Sequence, residues 1–364
     1  MTDATMPAAA PQKPAIGAIQ WLRENLFASP FHALATVLIA WFLIMTVPAL
    51  LDWLLLDAVF DANNVRECRA AGSGACWAFI GEKHRLILFG LYPYDEQWRP
   101  MLVVLILIAM VAISCMRRFW TKWLAPMWIG TLVVAGVLMW GGVLGLTYVE
   151  NARWGGLPLT MILAFVAIAV AFPLGVLLAL GRRSNLPAIR AICTIYIELV
   201  RGVPAVSLLF MASVMLPLLL PEGMSIDKLL RAQIALIVYA SAYLAEVVRG
   251  GLQSLSKGQY EAADALGLTY WQKQRLIILP QALRITIPPL VNTIITVFKD
   301  TSLVVIIGLY DLMNAAKASI IDPEWRGSSI EAYIFVSVIY FAFCYFMSKY
   351  SQGIEKRLAK AQQR

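Results

Sequence analysis

Lys299 and Asp300 are the side chains whose type and place most invite chemistry, because they interrupt an otherwise apolar run, VNTIITVFKDTSLVVIIGLY. Asn292, Thr293 and Thr296 precede them, and Thr301 and Ser302 follow. The stretch offers donors, acceptors and one charge of each sign, and two uses are open to it. The pair can meet the two charges of a zwitterion such as an amino acid, or it can bond within the chain and hold neighbouring helices together. Glu198 with Arg201, and Glu246 with Arg249, have the three-residue spacing of neighbours on a helix face and are read as structural pairs. The chain has only two histidines and no zinc-type ligand spacing. Neither a histidine-based metal site nor a His-dependent catalytic triad is expected. Cys68 and Cys76, in RECRAAGSGACW, can form a disulfide across a short glycine- and serine-containing loop or remain two free thiols.

The scaffold for these residues follows from composition. Of 364 residues, 60% are hydrophobic and 14% charged, where a soluble domain carries about 25% charged residues. The apolar runs reach the roughly twenty residues that a helix needs to cross a bilayer, and they lack the alternation of a membrane β-barrel. The expected fold is an all-α polytopic membrane protein with about eight spans, near 31–56, 100–116, 124–146, 157–181, 203–220, 230–250, 283–308 and 330–350. The net charge of +8 sits in short clusters beside the spans, which argues against nucleic acid and for cytoplasmic loops. Arg117, Arg118 and Lys122 follow the second span, Arg182 and Arg183 the fourth, and Lys349, Lys356, Arg357 and Lys360 the eighth. One topology, with both termini in the cytoplasm, places every cluster inside. The first twenty-odd residues lack the order of a cleavable signal peptide and are expected to be a short disordered lead. Segment 57–99, with five basic and six acidic residues, is the long outer loop.

The same topology places the polar segment 256–280 in the cytoplasm. Its sequence EAADALGLTYWQKQRLIILP fixes Glu261, Ala262, Ala263, Gly267, Ile277, Leu279 and Pro280 in the pattern E-A-A-x-x-x-G, nine residues, I-x-L-P. Ser256 with Gln259, and Thr269 with Gln272, have capping-box spacing and predict two short helices. Gly267 can take the left-handed conformation of a C-cap between them, and Pro280 is expected to close the second. Periodicity alone allows either a helix pair lying on the membrane surface or a knob that docks into a soluble partner, with Tyr260, Ala263, Leu266, Trp271 and Leu276 as the apolar set.

The seven fixed positions resemble the EAA loop of ABC importer permeases, through which the membrane subunit docks onto its ATPase. GLPLTMILAFVAIAVAFPLGVLLALGRRS (156–184), YIELVRGVP (196–204), YLAEVVRGGLQSLSKGQYEAADALGL (243–268) and FKDTSLVVIIGLYDL (298–312) extend the likeness to the polar amino-acid uptake family. The resemblance implies a permease domain of five helices over 156–354, a basic tail at 355–364, and an extension of three spans over 1–155. An extension of this size is similar to that of the M-type subunit of general L-amino-acid permeases. It further implies an ATPase dimer as partner, a second, Q-type permease subunit, a periplasmic amino-acid-binding protein and surrounding lipid in a bacterial inner membrane. No G-x-x-x-x-G-K-[ST] loop occurs in the chain, so no cofactor is expected on it, and ATP and Mg would be held by the ATPase subunits. The competing class is an ion-coupled secondary carrier. It would show paired broken helices in inverted repeats, and the polar break at 292–302 has no second copy.

Overall fold

The computed structural model describes residues 17–362 apart from Glu222, Met224 and Ser225, and these fall into two compact units, 1–78 and 79–364. In the first unit α1 (Ala18–Asn25) is a short amphipathic helix, so the expected disordered lead is corrected at its C-terminal end; residues 1–16 lie outside the described residues. Ser29 caps α2 (Pro30–Leu51) by accepting from the His32 N–H. None of the α2 side chains is buried, the surface expected of a helix solvated by lipid. Asn64 caps α3 (Val65–Ala71) by accepting from the N–H groups of Arg66 and Glu67. Cys68 on α3 is joined to Cys76 by a disulfide with Cα atoms 5.9 Å apart. Gly74 allows the loop to close, since a Cβ there would lie 2.3 Å from the Asp57 carbonyl.

The second unit runs α4 (Ala78–Phe89), α5 (Trp98–Cys115), α6 (Leu124–Trp140), α7 (Gly156–Arg182), α8 (Pro187–Gly202) and α9 (Ala205–Phe210). It continues through a π-turn at Met211–Met215 into α10 (Leu216–Leu218), then α11 (Lys228–Gln253), α12 (Lys257–Ala265) and α13 (Tyr270–Lys273). A second π-turn, Gln274–Ile278, leads into α14 (Leu279–Asp300), a 3-10 helix over Thr301–Ile307, a two-residue strand β1 (Tyr310–Asp311), α15 (Leu312–Ser319) and α16 (Ser329–Gln362). Among the described residues of both units, six helices are long and apolar enough to cross a membrane. The two remaining expected spans differ from expectation. The third shortens to the 17 residues of α6. The fifth is a bent pair, with α8 turned by 104° from the helix over Ala205–Leu218.

The core forms where α7, α11 and α14 press together. Ala164, Ala167, Ala171 and Ala179 of α7 are all fully buried, and Gly175 falls in the same stripe. A Cβ on Gly175 would lie 2.9 Å from Leu244 Cβ and 3.0 Å from the Ala245 nitrogen. Small residues replace bulk with backbone contact where no water is available to drive helices together. Gly251 of α11 does the same against Ala282 and Thr286 of α14. Segment 57–99 is largely helical, and its α4 end meets the start of α7 through backbone. Gly90 (φ +62°) faces Gly155 so closely that a Cβ on Gly90 would sit 2.5 Å from the Gly155 Cα. Gly155 and Gly156 bridge in parallel to Tyr310 and Asp311 of β1.

Candidate functional site

The segment 256–280 is two helices hinged at a glycine and seated on the end of the core. Gly267 has φ +69° and a Cβ there would meet nothing within 4 Å. Its N–H donates to Asp264 O at 2.9 Å and that of Leu268 to Ala263 O at 3.3 Å, closing α12. Thr269 and Gln272 form a complete capping box at the start of α13. Ser256 and Gln259 do not: the Ser256 side chain makes no cap bond, and the Gln259 amide oxygen accepts from Gln281 at 2.9 Å. Nor does Pro280 end a helix. It occupies the first turn of α14, where a proline sacrifices no hydrogen bond, so the chain continues from the motif directly into a membrane span. Lys273 pairs with Asp264 and locks the two short helices together.

Burial divides the motif into a root and an exposed crest. Ala263 and Ile278 are fully buried, and Ile278 belongs to the cluster of Ala179, Leu180, Ile197, Val248, Leu252 and Ala282. Ile277, Leu279 and Tyr260 pack against that cluster. The Tyr260 hydroxyl donates to Leu252 O at 3.2 Å and accepts from Arg183 at 3.1 Å. On the other side Leu266 is 73% exposed, Trp271 64% and Leu276 64%; Glu261, Ala262, Gly267 and Pro280 are exposed with them. The expected apolar set therefore faces two ways.

Behind the root lies a charged hub. Glu246 of α11 pairs with Arg182 at 2.7 Å, Arg249 at 2.8 Å and Arg201 at 3.3 Å. Glu198 pairs with Arg182 at 2.6 Å, which corrects the expected Glu198–Arg201 pair; Glu246 with Arg249 forms as read. The convergence depends on α8, a helix whose own signals, Pro187 at its start and Gly202 at its end, were present in the sequence. A reading of apolar runs passes over it.

The polar stretch lies on the last turns of α14. The Thr293 and Thr296 hydroxyls donate back to Pro289 O and Asn292 O, at 3.0 and 3.1 Å. Thr301 is buried and donates to Phe298 O at 2.7 Å. Asn292 and Lys299 are exposed, whereas Asp300 and Ser302 are half-buried. The α-helix gives way to the 3-10 segment directly after Asp300, and Gly308 ends that segment at φ +74°. Among the described residues no ion pair joins Lys299 to Asp300. Asp300 Oδ2 is shut off from solvent without a hydrogen-bond partner.

Comparison with known proteins identifies the family. Residues 171–360 match the family described as binding-protein-dependent transport system inner membrane component. The chain is 49% identical to the inner membrane amino-acid ABC transporter permease protein YhdY of Escherichia coli (strain K12), covering 93% of each. It is 38% identical to the glutamate/glutamine/aspartate/asparagine transport system permease protein BztC of Rhodobacter capsulatus, covering 95% of this chain and 94% of the relative. A crystal structure of an amino acid ABC transporter with histidines is 33% identical, with a TM-score of 0.49 over 54% of this chain and 90% of that one. The chain belongs to the binding-protein-dependent transport system inner membrane component family and is a multi-pass, inner-membrane permease of the ABC importer class.

Proposed function

We propose that this permease carries L-amino acids of several kinds into the cytoplasm and is driven by ATP hydrolysed on a separate ATPase dimer that grips segment 256–280. The observation that carries this reading is the division of the segment into a buried root and an exposed crest. Ile278 and Tyr260 tie it to α7, α8, α11 and α14, while Leu266, Trp271 and Leu276 leave an exposed apolar knob. Unpartnered apolar side chains on a rigid helix pair suit a groove in a soluble subunit. Movement of that subunit would reach the spans through Ile278 and the start of α14.

In this reading ATP and Mg belong to the ATPase subunits, a periplasmic protein delivers the amino acid, and a second, Q-type permease completes the pathway. The names of the full-length relatives support amino acids as the cargo, and the length shared with them supports the general L-amino-acid subtype. The permease domain is assigned to 156–354, the extension to 1–155 and the basic tail to 355–364, with both termini in the cytoplasm. Asn292, Thr293, Thr296, Lys299, Asp300, Thr301 and Ser302 are assigned to the substrate pathway, and the Cys68–Cys76 bridge to the outer face. Purification of the tagged chain from native membranes tests the coupling: an ATPase should come with it, and amino-acid uptake by an ATPase-free preparation would instead establish an ion-coupled carrier.

A further inference from the structure

Helix α8 carries an apolar face that none of the described residues covers. At 100° per residue Ile192, Ile195 and Leu199 fall within about 60° of one another, and they are 68%, 63% and 61% exposed. That stripe lies about 140° round the helix from the buried Ile197 and Val200, and Ile197 sits in the cluster with Ala179 of α7 and Val248 of α11. The depth of α8 follows from α7. With 27 residues, α7 is about 40 Å long at 1.5 Å per residue, against a hydrocarbon core of about 30 Å. Its last turn therefore stands at headgroup level. α8 is held at that level: Cys193 packs so closely on Gly181 that a Cβ there would strike its Sγ, and Glu198 pairs with Arg182. The helix over Ala205–Leu218 packs on α11 and departs from α8 at 104°.

Basic side chains mark the start of the same helix. Arg183 opens the turn between α7 and α8, and its guanidinium donates to the Tyr260 hydroxyl at 3.1 Å and lies 5.4 Å from the centre of that ring. Arg190 Nε donates to Ser184 O at 2.8 Å, which anchors it at the same turn. Both arginines are exposed. The nearby carboxylates of Glu198 and Glu246 are taken by Arg182, Arg201 and Arg249, and among the described residues neither Arg183 nor Arg190 has an ion-pair partner.

We propose that α8 and the turn before it form a binding surface for an anionic phospholipid of the cytoplasmic leaflet. The inference rests on the cytoplasmic placement of segment 256–280 in the reading above. Ile192, Ile195 and Leu199 lie among the acyl chains, and the guanidinium groups of Arg183 and Arg190 hold the phosphate. A phospholipid meets both halves of this surface at once, since it brings hydrocarbon to the stripe and negative charge to the arginines. The tether of each arginine to the chain lowers the entropy lost when the headgroup is bound.

The test uses the complete complex, with its second permease, ATPases and binding protein, in phosphatidylcholine nanodiscs. Each preparation carries a trace of phosphatidylglycerol or of phosphatidylcholine with the same photoreactive acyl chain, and labelled peptides are located by mass spectrometry. At low salt phosphatidylglycerol should label the peptide holding Ile192, Ile195 and Leu199 about fivefold or more above its zwitterionic counterpart. High salt should reduce that preference, and Arg190→Gln should reduce it severalfold with subunit composition unchanged. Equal labelling by the two lipids overturns the surface, as does a preference that Arg190→Gln leaves intact. So does an α8 that neither lipid labels and that cross-links to the second permease, because the stripe would then be a subunit contact. If the glutamine chain is not recovered, the wild-type salt series decides: a preference indifferent to salt overturns the proposal. Labelling of a Leu266→Cys crest by an impermeant thiol reagent outside intact cells would defeat the cytoplasmic placement itself. Equal lipid labelling with the crest inside would defeat only the lipid surface.

Discussion

Asp311 shows how one residue is placed by several elements at once. It is fully buried, and its carboxylate accepts from the N–H groups of Met313 and Asn314 to cap α15. The Thr160 hydroxyl beside it accepts from Leu312 N. Burial pushes the Asp311 carboxyl up to about 7, against the opposing pull of those backbone bonds and of Lys317. Because the folded value lies above the unfolded one, the group favours the folded state most below about pH 4 and loses that contribution as pH rises through about 7. Asp311→Asn keeps an acceptor for the cap and does not titrate. Thermal melting of the purified protein should therefore show a decline in stability from pH 5 to 8, on the order of a few kcal/mol, that is absent in the variant. Equal pH dependence in both proteins would contradict the assignment. At this scale the sequence was legible where a signal is local. Gly267 and the Thr269–Gln272 pair reveal their roles within a few residues. Ser256 carries the same spacing as Thr269 but loses its partner to Gln281, twenty-two positions from Gln259, a competition that no local pattern contains.

Elements were legible in proportion to their hydrophobicity. The long apolar helices stand out because burial in lipid demands them. α8 does not, because its job is to lie across the end of the core and bring Glu198 and Arg201 to Arg182 and Glu246. Arg182 and Glu246 are sixty-four positions apart, so their meeting follows only from the packing of α7 on α11. That packing is set by small residues: Gly175, within the one helix over Gly156–Arg182, is a contact point against Leu244 and Ala245. The hub makes an unequal prediction. Glu246 is 14% exposed and serves three arginines, whereas Glu198 is 56% exposed and serves one. Glu246→Gln leaves three guanidinium groups facing one another and should cost roughly 1–3 kcal/mol, partly recovered in high salt, with earlier proteolysis of α8. Glu198→Gln should cost less than about 1 kcal/mol. Equal effects in melting experiments would show that the hub does not organise this end of the molecule.

At the scale of the unit over 79–364, the segment before α5 is bound to the helices that follow it. The apolar runs and the long loop before residue 156 were legible, but the contact of α4 with the start of α7 was not, because backbone-to-backbone contacts such as Gly90 against Gly155 leave no mark beyond a glycine. Lys83 extends the contact by pairing with Asp322 at 2.7 Å, and Trp325, fully buried, donates to Glu82 at 3.0 Å. At the opposite end, Ile278 passes from the exposed helix pair into the core and onward into α14, whose last residue is Asp300. The chain therefore runs without a loop from the crest that an ATPase would grip to the far end of α14. The most direct test of that connection is ATP-driven amino-acid uptake by reconstituted complexes carrying Gly267→Trp. Gly267 holds a left-handed conformation with open space around it, so a tryptophan there strains the hinge and obstructs docking while leaving the buried root untouched. Assembly of the membrane subunits should persist, and uptake should fall by at least about tenfold with ATP hydrolysis no longer tied to it. Uptake at the wild-type rate by an assembled Gly267→Trp complex would contradict the claim that this segment transmits the work of ATP hydrolysis.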